Sequence, residues 1–391
     1  MFKYRRTKLG LRWLLVVTIC LSSTVVQAQT IDKLKEIFTF YPNKKKAARD
    51  STLYVQKFIA APVFTYKPET NFAFGTGAKY LFKFDGSGDE TRVSNMPMTL
   101  QYTLNSQFFL YSGFEVFTNQ EKWVIEGNLL FQNYPRLYYG IGAETPIRNE
   151  EQYDYYQFLL EPIFLKRMFF RYLFVGAGFR YNHIFKTEFE PDGLIAQNQP
   201  NGFDGSTSVG AEVAMLYDSR SNILNAEDGW YFELTHGKYD KVLGGTDIFN
   251  LTRFDLRRYI SVSKKNKDIL AFQVLGQFSR GDLPFSEYSF FGGKDIMRGY
   301  QEGRYVDRDL LATQVEYRKK FENSRWGLVA FAGTGDVYHN VNEFQFKNLK
   351  PNVGAGARFT IDKAENLNLR FDVGFGESGK SGFYFGIAEA F

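Results

Sequence analysis

From Phe58 to Phe391 the chain alternates between apolar and polar side chains. In one run Leu367, Leu369, Phe371, Val373 and Phe375 share a face, while Asn368, Arg370, Asp372 and Gly374 share the other. Val353, Ala355, Ala357, Phe359 and Ile361 repeat the pattern against Gly354, Gly356, Arg358 and Thr360, as does the run Leu173 to Tyr181. Period two is the mark of β-strands, whose successive side chains point to opposite faces. A soluble sandwich buries the apolar face and wets the polar one. A membrane barrel turns the apolar face to lipid and the polar face to its lumen.

The polar faces favour the second arrangement. They carry both signs of charge: Glu115, Glu126, Glu161, Arg180, Glu212, Glu233, Asp255, Arg257, Glu316, Arg318, Arg358, Arg370 and Asp372. Opposite charges from neighbouring strands can meet in a narrow lumen. Lipid offers no partner to an open backbone edge, so such a sheet has to close. The 41 Phe and 25 Tyr suit strands that face hydrocarbon and end in aromatic girdles.

The pattern predicts strands at 58–66, 71–84, 94–104, 107–117, 121–133, 152–167, 171–186 and 206–218. It continues with 229–240, 247–262, 268–280, 309–320, 325–337, 351–361, 366–376 and 381–391. That is an all-β fold: a transmembrane antiparallel up-and-down barrel of about 16 strands. Short turns near 168–170, 263–267, 321–324 and 362–365 alternate with longer loops near 134–151, 187–205, 281–308 and 338–350. The even count puts both ends of the barrel on one side, the periplasm.

The first residues set the compartment. Lys3, Arg5, Arg6, Lys8 and Arg12 precede an apolar core, Trp13 to Leu21, and a small-residue site, Val26-Gln27-Ala28. This is the layout of a secretory signal peptide over 1–28, exported through the Sec pathway. Of 48 Lys+Arg, five lie in that leader, which leaves 43 against 43 Asp+Glu. The alkaline pI therefore belongs to the leader and points to no nucleic-acid partner. The one cysteine, Cys20, is also in the leader, which excludes disulfides and thiolate metal sites from the rest. Residues 29–57 read as a flexible periplasmic lead-in with a short amphipathic helix around Ile31 to Phe38, followed by the barrel domain, 58–391.

Catalytic chemistry finds little support. Only His183, His236 and His339 exist, and none has a Ser or carboxylate placed for a triad or metal cluster. The reading is a non-enzyme with no metal and no cofactor.

One long polar segment, Gly281 to Arg308, interrupts the strands and carries FFGGKDIMRGY, Phe290 to Tyr300. A double glycine, Gly292-Gly293, precedes Arg298-Gly299-Tyr300. The expected arrangement is a loop folded back into the lumen, its guanidinium paired with a carboxylate on the inner wall. This stretch resembles the bacterial surface-antigen family, the BamA/TamA-type outer-membrane barrels that include the two-partner secretion transporters. In that family a loop between the eleventh and twelfth of sixteen strands bears an Arg-Gly-Phe/Tyr tip. Three more stretches match in order. They are Asp218-Ser219-Arg220-Ser221-Asn222 with Gly229-Trp230, then Glu316-Tyr317-Arg318, and the end from Gly354 through Arg370-Phe371-Asp372 to Phe391.

The resemblance implies that an acidic wall residue holds Arg298; parity makes Glu316 the first choice and Asp372 the second. The family's F-x-D-x-G wall motif reads here Phe331-Ala332-Gly333-Thr334-Gly335, without its aspartate, which shifts weight to Glu316. Room for a client-receiving POTRA repeat is missing from the lead-in. The last strand ends in Phe391, as an outer-membrane assembly signal does, with Glu389 expected at the bilayer rim. Pro62 and Pro68 in the first strand, and Gly382 and Gly386 in the last, mark a closing seam. Both prolines are expected at strand ends. The resemblance implies a Gram-negative outer-membrane protein in contact with lipid that assists insertion or export of client outer-membrane proteins, with a periplasmic partner protein. The alternative is a narrow channel or structural barrel.

Overall fold

A computed structural model describes residues 38–67, 71–133, 135–263, 268–377 and 381–391. The proposed leader and, but for Phe38, the expected lead-in helix lie outside them. Sixteen long strands follow one another: β1 (Lys57–Lys67), β2 (Asn71–Phe82), β3 (Ser94–Thr103), β4 (Phe108–Phe117), β5 (Trp123–Asn133), β6 (Glu151–Arg167), β7 (Leu173–Glu188) and β8 (Ser206–Asp218). The second half holds β9 (Gly229–Tyr239), β10 (Phe249–Ser261), β11 (Ile269–Gly281), β12 (Asp309–Lys320), β13 (Trp326–Tyr338), β14 (Lys350–Asp362), β15 (Leu367–Phe375) and β16 (Ser381–Ile387). Each pairs antiparallel with the next. No described helix is long and apolar enough to cross a membrane.

The two faces differ as the alternation requires. Val175 and Phe179 on β7, Val353 on β14, and Phe371 and Phe375 on β15 are exposed; Arg180, Arg358, Arg370 and Asp372 between them are buried. An exposed apolar face is costly in water and stable in hydrocarbon. The charged face is the concave one, because its ion pairs form chords between distant strands. Arg253 on β10 reaches Glu161 on β6 at 3.2 Å, and Arg220 beyond β8 reaches Glu115 on β4 at 3.1 Å. Such chords span only the inside of a curved sheet. Trp123, Trp230 and Trp326 stand half-exposed at the starts of β5, β9 and β13, all at the same end. That is where an interfacial belt of amphipathic rings sits.

Three expectations change. First, the sheet is not closed: among the described residues no backbone ladder joins β1 to β16. The start of β1 instead meets the β14–β15 turn through side chains, with Lys57 Nζ donating to Asp362 at 3.0 Å and to Glu365 at 2.7 Å. Second, Pro62 sits in mid-strand, opposite Thr76, rather than at a strand end. An edge strand tolerates a residue without an N–H because its outer side has no ladder to supply. Pro68 lies outside the described residues. Third, the lead-in is structured from its described start. Thr39–Phe40 pair with Ile59 and Phe58 on the free edge of β1, and a short helix, Lys44–Arg49, comes next.

Candidate functional site

The connection between β11 and β12 leaves the rim and lies against the concave face. A short hairpin, Ser289–Phe291 with Tyr305–Asp307, forms its stem. Gly292 (φ 95°) and Gly293 (φ 138°) turn the chain out of it in the left-handed region that glycine adopts freely. Glu287 anchors the approach, accepting from Arg180 and Asn182 of β7, both at 2.7 Å.

At the tip, Arg298 is fully buried. Its Nη2 donates to Glu316 on β12, and its Nη1 donates to Asp372 on β15 at 2.5 Å. The first-choice and second-choice carboxylates thus bind one guanidinium together, which its planar fork of donors allows. Phe331 on β13 lies under the guanidinium, 3.6 Å from ring centroid to Cζ, a cation–π contact. Arg318 Nε donates to the second oxygen of Glu316 at 2.9 Å, and Arg358 Nη1 donates to Asp372 at 2.5 Å. Arg370 donates to Asp295 of the loop at 3.0 Å. Each buried charge therefore has an opposite neighbour, without which its desolvation would be prohibitive.

The backbone of the tip meets the wall as closely. Gly299 (φ 112°) lies on β15, where a Cβ would fall 2.5 Å from the carbonyl carbon of Phe375; a Cβ on Gly374 would fall 2.6 Å from Arg298. Asn352 Nδ2 donates to Arg298 O at 2.8 Å, and Gly299 N donates to Tyr384 Oη on β16 at 2.9 Å. Tyr300 Oη donates to Pro351 O at 2.8 Å and accepts from Glu377 N at 2.9 Å. Burial pushes the Tyr300 phenol up to about 12, so it keeps the proton that it donates. Gly335 leaves room for Ala312, which packs in the apolar cluster of Phe291, Met297, Tyr300 and Val337.

Asn352, Tyr384 and Arg358 join the site without a motif that marks them. Asn352 and Arg358 share the polar parity of the Val353 run, so alternation carries that signal. Tyr384 has none, since an aromatic in a terminal strand reads as a girdle residue. Asp336, on the parity opposite to Phe331, receives Lys350 Nζ at 2.5 Å.

The end of the chain departs from expectation. The last strand stops at Ile387, because Ala388 adopts a left-handed φ of 79° and donates its N–H to Asn368 O. This reversal sends Glu389 inwards rather than to the rim. It accepts from Arg358 Nε at 2.6 Å and Asn368 Nδ2 at 2.7 Å. Phe391 is buried with Ala226, Tyr259, Ile269 and Ala271, its carbonyl accepting from Arg318 Nη2 at 2.8 Å. Gly386 lies opposite Arg370, where a Cβ would sit 3.3 Å from the guanidinium.

Residues 71–391 match the model of the Omp85 superfamily domain. No curated protein sequence matches the chain. Two similar solved structures are BamA from Haemophilus ducreyi lacking POTRA domains 1-3 (10% identity, TM-score 0.51) and CdiB from Acinetobacter baumannii (10% identity, TM-score 0.54). Each alignment covers 85% of this chain; it spans 68% of the first structure and 59% of the second. At that identity the likeness concerns the fold.

Proposed function

The chain belongs to the Omp85 superfamily, and from that membership we propose that it is an outer-membrane barrel that assists insertion or export of other outer-membrane proteins or components. The observation that carries this reading is the seam. β1 and β16 are both ordered strands, yet no ladder joins them, and Pro62 removes a donor from the middle of β1. Beyond the Thr39–Phe40 pairing on β1, the two edges lack a ladder, which offers a place where the barrel can part and where an incoming strand can pair. The tip of the long loop supports the reading. It ties β12, β14, β15 and β16 into one block beside that seam, so that parting is confined to the seam itself.

In this reading 1–28 directs export through the Sec pathway, the concave face is the lumen, and Arg298 with Glu316 and Asp372 is the brace. A periplasmic partner protein delivers the clients. Depletion followed by quantitative proteomics of the outer membrane is the test. The expected result is a fall in other barrels or surface proteins; an unchanged outer membrane would refute the role.

A further inference from the structure

The turn between β8 and β9, residues 219–228, carries the Asp218-Ser219-Arg220-Ser221-Asn222 motif, and neither the tip nor the seam explains it. This turn does not follow the rim. It crosses under the sheet and packs on three separate arcs of wall. Ile223 packs against a buried cluster built from Phe117, Val124, Leu165, Phe174 and Leu216, from β4 to β8. Leu224 is buried with Ile59, Leu81 and Leu367, from β1, β2 and β15, beside Ile387 of β16. Ala226 joins Tyr259, Ile269, Ala271 and Phe391. Three apolar side chains within four residues thus reach most of the circumference.

Polar contacts fix both ends of the crossing. On the near side Arg220 donates to Asp218 at 2.9 Å and to Glu115 at 3.1 Å, and Arg92 bonds Asp218 and Glu121. On the far side Asn222 Nδ2 donates to Glu365 O at 3.2 Å and Asn366 Nδ2 to Asn225 O at 3.3 Å. Lys320 Nζ donates to Glu227 at 2.9 Å. Glu365 also accepts from Lys57 at the start of β1. Both edges of the open seam therefore meet at the Leu224 cluster of this turn, through Ile59 of β1 and Ile387 of β16, while Lys57 of β1 and Asn222 of the turn both bind Glu365. Above it lies a cavity of about 410 Å³ lined by Glu126, Glu233, Arg253, Arg257 and Arg220 of the turn.

We infer that the 219–228 turn is a stopper and clasp. It shuts the periplasmic mouth of the barrel and holds the two seam edges together, so the seam widens only when the turn leaves Glu365 and the Leu367 cluster. Its sidedness rests on the outer-membrane reading above; its contacts do not.

The test uses the full chain in lipid bilayers. No cysteine follows Cys20, so labels at Ala61→Cys and Phe383→Cys report the seam width cleanly. Leu224→Asp with Asn222→Ala is expected to lengthen and broaden that distance and to raise channel openings at least tenfold. A folded variant with the wild-type distance and silent bilayers overturns the proposal. Where that variant does not fold, Asn225→Cys with Asn366→Cys decides. The crosslinked protein is expected to open at least tenfold less often than the same protein reduced, and equal opening frequencies overturn the inference. Insertion of a test barrel into proteoliposomes separates the two readings. A seam that widens with no change in insertion removes the assembly role and leaves the clasp. Insertion by a chain whose seam never widens does the reverse.

Discussion

Arg298 and Asp372, 74 residues apart in sequence, are joined Nη1 to Oδ2 at 2.5 Å with both side chains fully buried. The same guanidinium holds Glu316, so one residue pins a loop to two strands that are not neighbours. Removing it leaves two buried carboxylates short of a partner. Arg298→Ala is expected to lower stability by about 3–5 kcal/mol, the cost of breaking a buried pair. Heat-modifiable mobility on gels measures the shift. Arg298→Lys should recover only part of it, since a single ammonium has no fork to bridge two carboxylates.

Gly299→Ala places a methyl 2.5 Å from the backbone of β15, at a φ of 112° that alanine avoids. Its expected outcome is a tip lifted from the wall, which exposes the peptide bonds after Arg298 and Arg304 to added trypsin. The wild-type loop should resist under the same conditions. Gly374→Ala, acting on the same contact from the wall, is expected to give the same fragments.

Glu389 yields a pH dependence. Burial pushes its carboxyl up, but Arg358 and Arg318 outweigh burial and hold it below the usual carboxylate range. A group with a depressed folded value stabilises fully above its unfolded value, about 4.3 for a glutamate, and loses that contribution as pH falls through the folded value. Wild type is therefore expected to outlast Glu389→Gln in thermal unfolding at pH 7, with the gap closing below about pH 4. A gap that persists at pH 2 would contradict the assignment.

Ala388 ends the last strand at a φ of 79°. Ala388→Gly relieves a left-handed conformation that costs an L-residue about 1–2 kcal/mol, so it should raise stability. Ala388→Val is expected to lower it and to release Phe391 from its pocket, readable as protease trimming of the last residues.

A barrel acting as a channel would conduct steadily, and more so in Arg298→Ala or Glu316→Gln. With the 219–228 turn in place, both variants are expected to stay silent in planar bilayers. Steady currents from either would favour the channel.

Alternation by itself specified the number, order and approximate limits of the sixteen long strands and which face of each is charged, but not the short strands Thr39–Phe40 and Arg136–Tyr138 that join the sheet. A period of two is local, written into every short window, and it survives without knowledge of what the strand packs against. The same local parity put Glu316, Arg358 and Asp372 on one surface. Only the folded chain decided how that surface is shared. Arg298 takes both carboxylates because curvature brings β12 and β15 within one side chain of each other. Ala388, a residue with no turn signal, reverses the chain because Asn368 and Arg358 hold Glu389 on the inner face. The stopper was equally illegible, since Ile223, Leu224 and Ala226 find their partners on strands up to about 160 residues away. Contacts closed by the third dimension leave no period in the first.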